Sequence, residues 1–204
     1  MASANTKFNT RYLVRLAVLI GIILLMAFTP LGYFKTLGLS VTLIQIPVVV
    51  GAVILGPTAG AILGLVFGAT SFFQCFGLEA FGTALMGINP VGTFITCFVP
   101  RILMGWLSGL IFLALSKFDK TKWVGYPVTC LLGAILNTVL FMASLVAFFY
   151  HTEFIQNLAG QMGTAGILAF VMAFVGVNGI IEAIASCVAG GAIAKGLDHF
   201  SPRT

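Results

Sequence analysis

Arg101 stands inside a long apolar run, TFITCFVPRILMGWLSGLIF. A charged side chain at membrane depth costs at least about 2.5 kcal/mol, so one that is kept there has work to do. The planar guanidinium fork donates to a carboxylate at two points. Asn137 and Asn178 sit in apolar runs of their own, and Glu182 lies one helical turn beyond Asn178 on the same face. Gln45 and Gln74 fall near the ends of two further runs, and Asn89 closes a glycine-rich connection. One fixed cation with several amides describes a binding pocket for an anionic ligand. The competing reading pairs Arg101 with Glu182 as a buried ion pair and uses the asparagines as glue between helices. Glu182 would lie about 10 Å deeper, a gap that long side chains partly bridge.

Other chemistry is missing. The chain has no GxxxxGK[ST] phosphate loop, no HExxH, no GxSxG and no paired carboxylates. His151 and His199 have no ligand-spaced partner, and Cys75, Cys97, Cys130 and Cys187 show neither CxxC nor Cys/His spacing. The residues therefore predict no catalytic centre, no metal site and no cofactor. The cysteines read as small buried apolar residues.

These polar residues need elements that hold them in lipid. Of 204 residues, 60% are hydrophobic and only 7% are charged, against about 25% charged in a soluble domain. Mean hydropathy is +1.13. The length suits six membrane spans of about 20 residues. They are expected over 13–29, 43–55, 58–76, 91–116, 125–150 and 165–194, as one integral-membrane domain over 1–204 with short tails at about 1–12 and 196–204. The basic start leads into the first run without a small-residue cleavage site, so that run reads as a span. Segment 30–42 is expected as a polar-aromatic loop, and 77–90 as a glycine-rich loop with some helix. Tyr33 and its neighbours Phe34 and Lys35 either cover a pocket or anchor at the interface.

Charge orients this bundle. Lys7, Arg11 and Arg15 precede the first span, Lys117, Lys120 and Lys122 follow the fourth, and Lys195 and Arg203 follow the sixth. An even number of spans puts all three clusters on one side, which the positive-inside rule makes cytoplasmic. The net charge of +5 is thus a topology signal. Split among membrane flanks, it does not describe a nucleic-acid surface.

Gly56, Gly60, Gly64 and Gly68 recur at spacing four. Helices in lipid associate by close packing, which small faces permit. The stripe serves either packing within the bundle or a face for a partner helix. Ala17 and Gly21 make a shorter small face on the first span, and Ala183, Cys187 and Gly191 another on the last.

The segment IPVVVGAVILGPTAGAILGLVFGATSF, 46–72, resembles the P-hydrophobic-GxxxGPxxG hairpin of substrate-binding subunits (S components) of energy-coupling factor (ECF) vitamin transporters. The segment INPVGTFITCFVPRILMGWLSGLIF, 88–112, looks like the fourth span of the members that take up pantothenate, folate and related vitamins. The resemblance covers nearly the whole chain. It implies an all-α six-span subunit in a bacterial plasma membrane that captures a vitamin from outside. It implies partners too: a transmembrane coupling protein carrying two cytoplasmic ATPases, on which the subunit docks through small residues of the first span. Ala17 and Gly21 match that AxxxA-like pattern as AxxxG. The segment around Asn89 and Arg101 is most similar to pantothenate-specific members, with folate, pyridoxine-type vitamins and other small nutrients as alternatives. A standalone carrier or channel, and a membrane scaffold or membrane enzyme, remain the readings from different classes.

Overall fold

Most of the molecule is helix, and its longest helices carry apolar side chains outward. In the computed structural model, residues 10–29, 33–35, 40–118, 125–164 and 166–200 are described, without the side chains of 33–35, 40, 41, 118, 177, 178, 180, 181 and 197–200. Helix α1 spans Thr10–Phe28, α2 Gln45–Leu55, α3 Pro57–Gln74, α4 Ala80–Ile88, α5 Pro90–Phe118, α6 Gly125–Phe149, α7 Glu153–Gln161 and α8 Ile167–Ala185. A π-helical turn, Ser186–Gly190, leads from α8 into α9, Gly191–Phe200. Helices α1, α3, α5 and α6 are long and apolar enough to cross a membrane. Leu25, Leu168 and Met172 are 68%, 78% and 70% exposed, an inside-out surface that only lipid suits.

The other two expected spans are shorter or broken. Helix α2 has eleven residues, about 16 Å at 1.5 Å per residue, against a hydrocarbon core of about 30 Å. It stops because Gly56 adopts φ +100°, a left-handed conformation that favours glycine. Pro57 then opens α3 at its first turn, where a missing N–H does no harm. The expected tight hairpin is therefore present. Helix α8 is interrupted at Gly176, whose φ of 30° and ψ of −131° break the ladder.

The connections are more ordered than expected. Segment 30–42 contains an antiparallel ribbon, β1 (Tyr33–Lys35) and β2 (Ser40–Thr42), with Tyr33 opposite Thr42. Within 77–90, Glu79 caps α4 by accepting from Gly82 N–H at 2.7 Å. The amphipathic α7, absent from the expected elements, is capped by Thr152 and buries Ile155 and Ala159 one turn apart.

The glycine stripe belongs to the interior. A Cβ at Gly60 would strike the Gly105 carbonyl, and one at Gly64 the Arg101 carbonyl. At Gly68 it would lie 3.0 Å from the Cys97 carbonyl oxygen, and a Cβ at Gly109 would lie 2.6 Å from the Pro57 Cα. So α3 and α5 run antiparallel with backbones in contact, the row 60, 64, 68 set against 105, 101, 97. Two cores flank this seam. One joins Ile23, Val48, Leu63, Phe67, Met104 and Phe112. The other joins Leu85, Met142, Leu145, Phe149, Ile155 and Phe170.

Candidate functional site

Arg101 is positioned by its neighbour in sequence. Pro100 lies inside α5 and has no N–H, so the carbonyl four residues earlier, that of Thr96, lacks its helical donor. The Arg101 Nη1 donates to that carbonyl at 2.5 Å. Its Nη2 reaches the Ser71 hydroxyl at 3.5 Å. The guanidinium carbon sits 4.9 Å from the Phe141 ring centre and 5.5 Å from that of Phe67, distances at which a ring face attracts a cation. Nε is buried without a hydrogen-bond partner. The whole residue is 9% exposed. Among the described residues, no carboxylate lies within 4.0 Å of it.

A cavity of about 160 Å³ opens beside this cation. Arg101 shares its wall with Thr93, Thr96 and Cys97 of the same face of α5, and with Ser71 and Gln74 of α3. Helix α6 contributes Asn137, Thr138, Phe141 and Met142, and α8 contributes Phe174, Gly179 and Glu182. Asn137 is 7% exposed and its Oδ1 has no partner. Thr96 Oγ1 is likewise buried and unpartnered. A buried polar atom without a partner is uncommon and destabilising. Three residues that carry such atoms, Thr96, Arg101 and Asn137, line this one cavity.

Glu182 faces the same cavity without closing on Arg101. Its Oε1 accepts from the Thr42 backbone N–H at 2.6 Å, which ties the β-ribbon to α8. The expected alternative of a buried Arg101–Glu182 ion pair is therefore not the arrangement observed.

Other expected residues divide. Gln74 lines the cavity, with its Nε2 donating to the Ala27 carbonyl at 2.9 Å. Gln45 does not reach the cavity. It is fully buried elsewhere, and its Nε2 meets Ser186 Oγ at 3.1 Å. Asn89 also lies outside the wall, because its Oδ1 accepts from Gly92 N–H at 2.9 Å and caps α5 ahead of Pro90. The side chains of Tyr33 and Asn178 lie outside the described residues. Their backbones pair with Thr42 and precede Gly179, and both Thr42 and Gly179 line the cavity. Ala17 and Gly21 are far from it, on the outward side of α1, where a Cβ at Gly21 meets nothing within 4 Å. Ser71, Thr93, Thr96, Thr138 and Phe141 were not expected at the site. The spacing of Thr93, Cys97 and Arg101 at four residues carried that signal.

Residues 11–189 match the model of the family "ECF transporter, substrate-specific component". The chain is 30% identical to the "Pantothenate transporter PanT" of Leuconostoc mesenteroides subsp. mesenteroides, over 98% of this chain and 97% of that protein. It is 34% identical to the "Pantothenic acid transporter PanT" of Lactococcus lactis subsp. cremoris, over 54% of this chain and 59% of that protein.

Proposed function

Because the chain belongs to the substrate-specific components of ECF transporters, we propose that it is the pantothenate-capture subunit of an ATP-driven importer. A full-length relative named for pantothenate supports the choice of vitamin. The observation that carries the site is the buried Arg101 guanidinium, which has no carboxylate within 4.0 Å among the described residues and opens on a cavity whose wall also carries Thr96, Asn137 and Glu182. Arg101 receives the vitamin's carboxylate. Asn137 and Thr96 meet its amide and hydroxyl groups, and Glu182 offers an acceptor for a hydroxyl at the other wall. Phe141, Met142 and Phe174 cover its carbon skeleton. Asn178 and Tyr33 complete the site from α8 and the ribbon. Asn89 and Gln45 support it at a distance, through the α5 cap and the α2–Ser186 contact.

The bundle crosses the membrane six times, with both ends cytoplasmic and the cavity facing out. Helix α2 and the broken α8 act as the second and sixth crossings, stacked against long neighbours. ATP hydrolysis lies in partners: a coupling protein and two ATPases. Calorimetry of the purified chain against a panel of vitamins is expected to find submicromolar binding of pantothenate alone. Asn137→Ala weakens it at least tenfold, about 1.4 kcal/mol. Tight binding of a different vitamin, or none, overturns this reading.

Docking uses the outward face of α1. Ala17 and Gly21 sit there among exposed Val14, Val18 and Leu25, a shallow strip where another helix approaches closely. The double variant Ala17→Leu, Gly21→Leu is expected to keep pantothenate affinity while energised uptake in cells falls at least tenfold. Full uptake by that variant, or uptake into liposomes holding this chain alone, contradicts docking by this face.

A further inference from the structure

Cys75 and Cys97 face each other with sulfurs 3.9 Å apart, and both are free thiols. Cys75 caps the end of α3 and Cys97 lies in α5, so the pair spans the glycine-packed seam. Each cysteine residue is 5% exposed and each lines the cavity. Ser71 joins them to the cation: its carbonyl accepts from Cys75 Sγ at 3.4 Å, its hydroxyl lies 4.0 Å from Cys97 Sγ, and that hydroxyl accepts from Arg101. No role in pantothenate capture calls for two thiols. Glu79 lines the same cavity, but among the described residues no three His, Cys, Asp or Glu side chains are placed to hold a metal ion.

We propose that Cys75 and Cys97 form an oxidisable dithiol in the cavity wall, a modification site for small two-electron oxidants, whose conversion to a disulfide disables ligand binding. The reaction is balanced by an azo oxidant such as diamide. Two S–H bonds break and one S–S bond forms, and two electrons with two protons reduce the N=N bond to a hydrazine. The sulfurs must close by about 2 Å. The seam resists this as a rigid body, because α3 and α5 backbones already touch at Gly60 and Gly64. The closure is therefore taken up locally, at the Cys75 cap and at Ser71, which moves the hydroxyl that Arg101 uses.

The test treats the full chain in nanodiscs with diamide, then maps alkylated and cross-linked peptides. A Cys75–Cys97 linkage is expected, with Cys130 and Cys187 scored separately. Its formation is read without ligand and so does not depend on the identity of the vitamin. Absence of the linkage in the folded chain overturns the proposal. The second arm rests on the proposed function: oxidation lowers pantothenate affinity at least tenfold, and dithiothreitol restores it. In Cys75→Ser the affinity, whatever its starting value, no longer responds to diamide. A linkage that forms equally fast with saturating pantothenate and leaves affinity unchanged overturns the placement in the binding wall. Failure of the reduced chain to bind pantothenate refutes the vitamin assignment and leaves the linkage result standing.

Discussion

Arg101→Met is expected to leave the ligand-free protein as stable as the wild type or more so, while pantothenate binding falls roughly 100-fold, about 2.7 kcal/mol. The two effects separate because of where the charge sits. Removing one partner of a buried ion pair strands the other and destabilises by about 3–5 kcal/mol. Arg101 has no such partner among the described residues. Its charge is held by the Thr96 carbonyl, the Ser71 hydroxyl and two ring faces. Methionine keeps an apolar stem against Phe67 and Phe141 and removes the burden of a desolvated cation. Two acceptors lose their donor, the Thr96 carbonyl freed by Pro100 and the Ser71 hydroxyl. Thermal unfolding with and without pantothenate checks both halves. A large drop in the ligand-free midpoint would mean that the guanidinium is part of the scaffold instead.

The second large effect concerns the scaffold. Gly64→Ala is expected to lower stability by about 1–3 kcal/mol, the usual result of overpacking, and the melting midpoint by roughly 2–12 °C. The added methyl meets the Arg101 backbone carbonyl rather than a yielding side chain, so α3 and α5 must part. That shift also moves Arg101, and pantothenate affinity falls with it. Gly21→Ala is the control. It adds a methyl where nothing lies within 4 Å, and alanine is the better helix former, so its midpoint holds or rises. Equal behaviour of the two variants would show that the seam is not close-packed.

These contrasts bear on what a single sequence reveals. The apolar runs, the Gly56–Pro57 turn, and Arg101 and Asn137 as polar residues held in apolar surroundings were legible, because each is a local anomaly against hydrocarbon. The partner of the glycine stripe was not. Its match is a spacing-four row on α5, Cys97, Arg101, Gly105 and Gly109, and two periodic faces do not declare that they meet. Asn89 was readable as a cap, since an asparagine before Pro90 at a helix start has that local use; its place among the polar residues near the span ends suggested a pocket. Gln45 shows the opposite limit. A buried amide whose Nε2 donates to Ser186, 141 residues away, looks in sequence like one awaiting a ligand. Pro100 beside Arg101 was the overlooked clue, for it frees the carbonyl that aims the guanidinium.

The most direct measurement compares pantothenate with its alcohol analogue, in which a hydroxymethyl group replaces the carboxylate, on wild-type chain and on Arg101→Met. If the guanidinium receives the carboxylate, the wild type favours the acid by at least tenfold and the variant binds the two compounds about equally. Retention of the full preference for the acid by Arg101→Met would contradict the account.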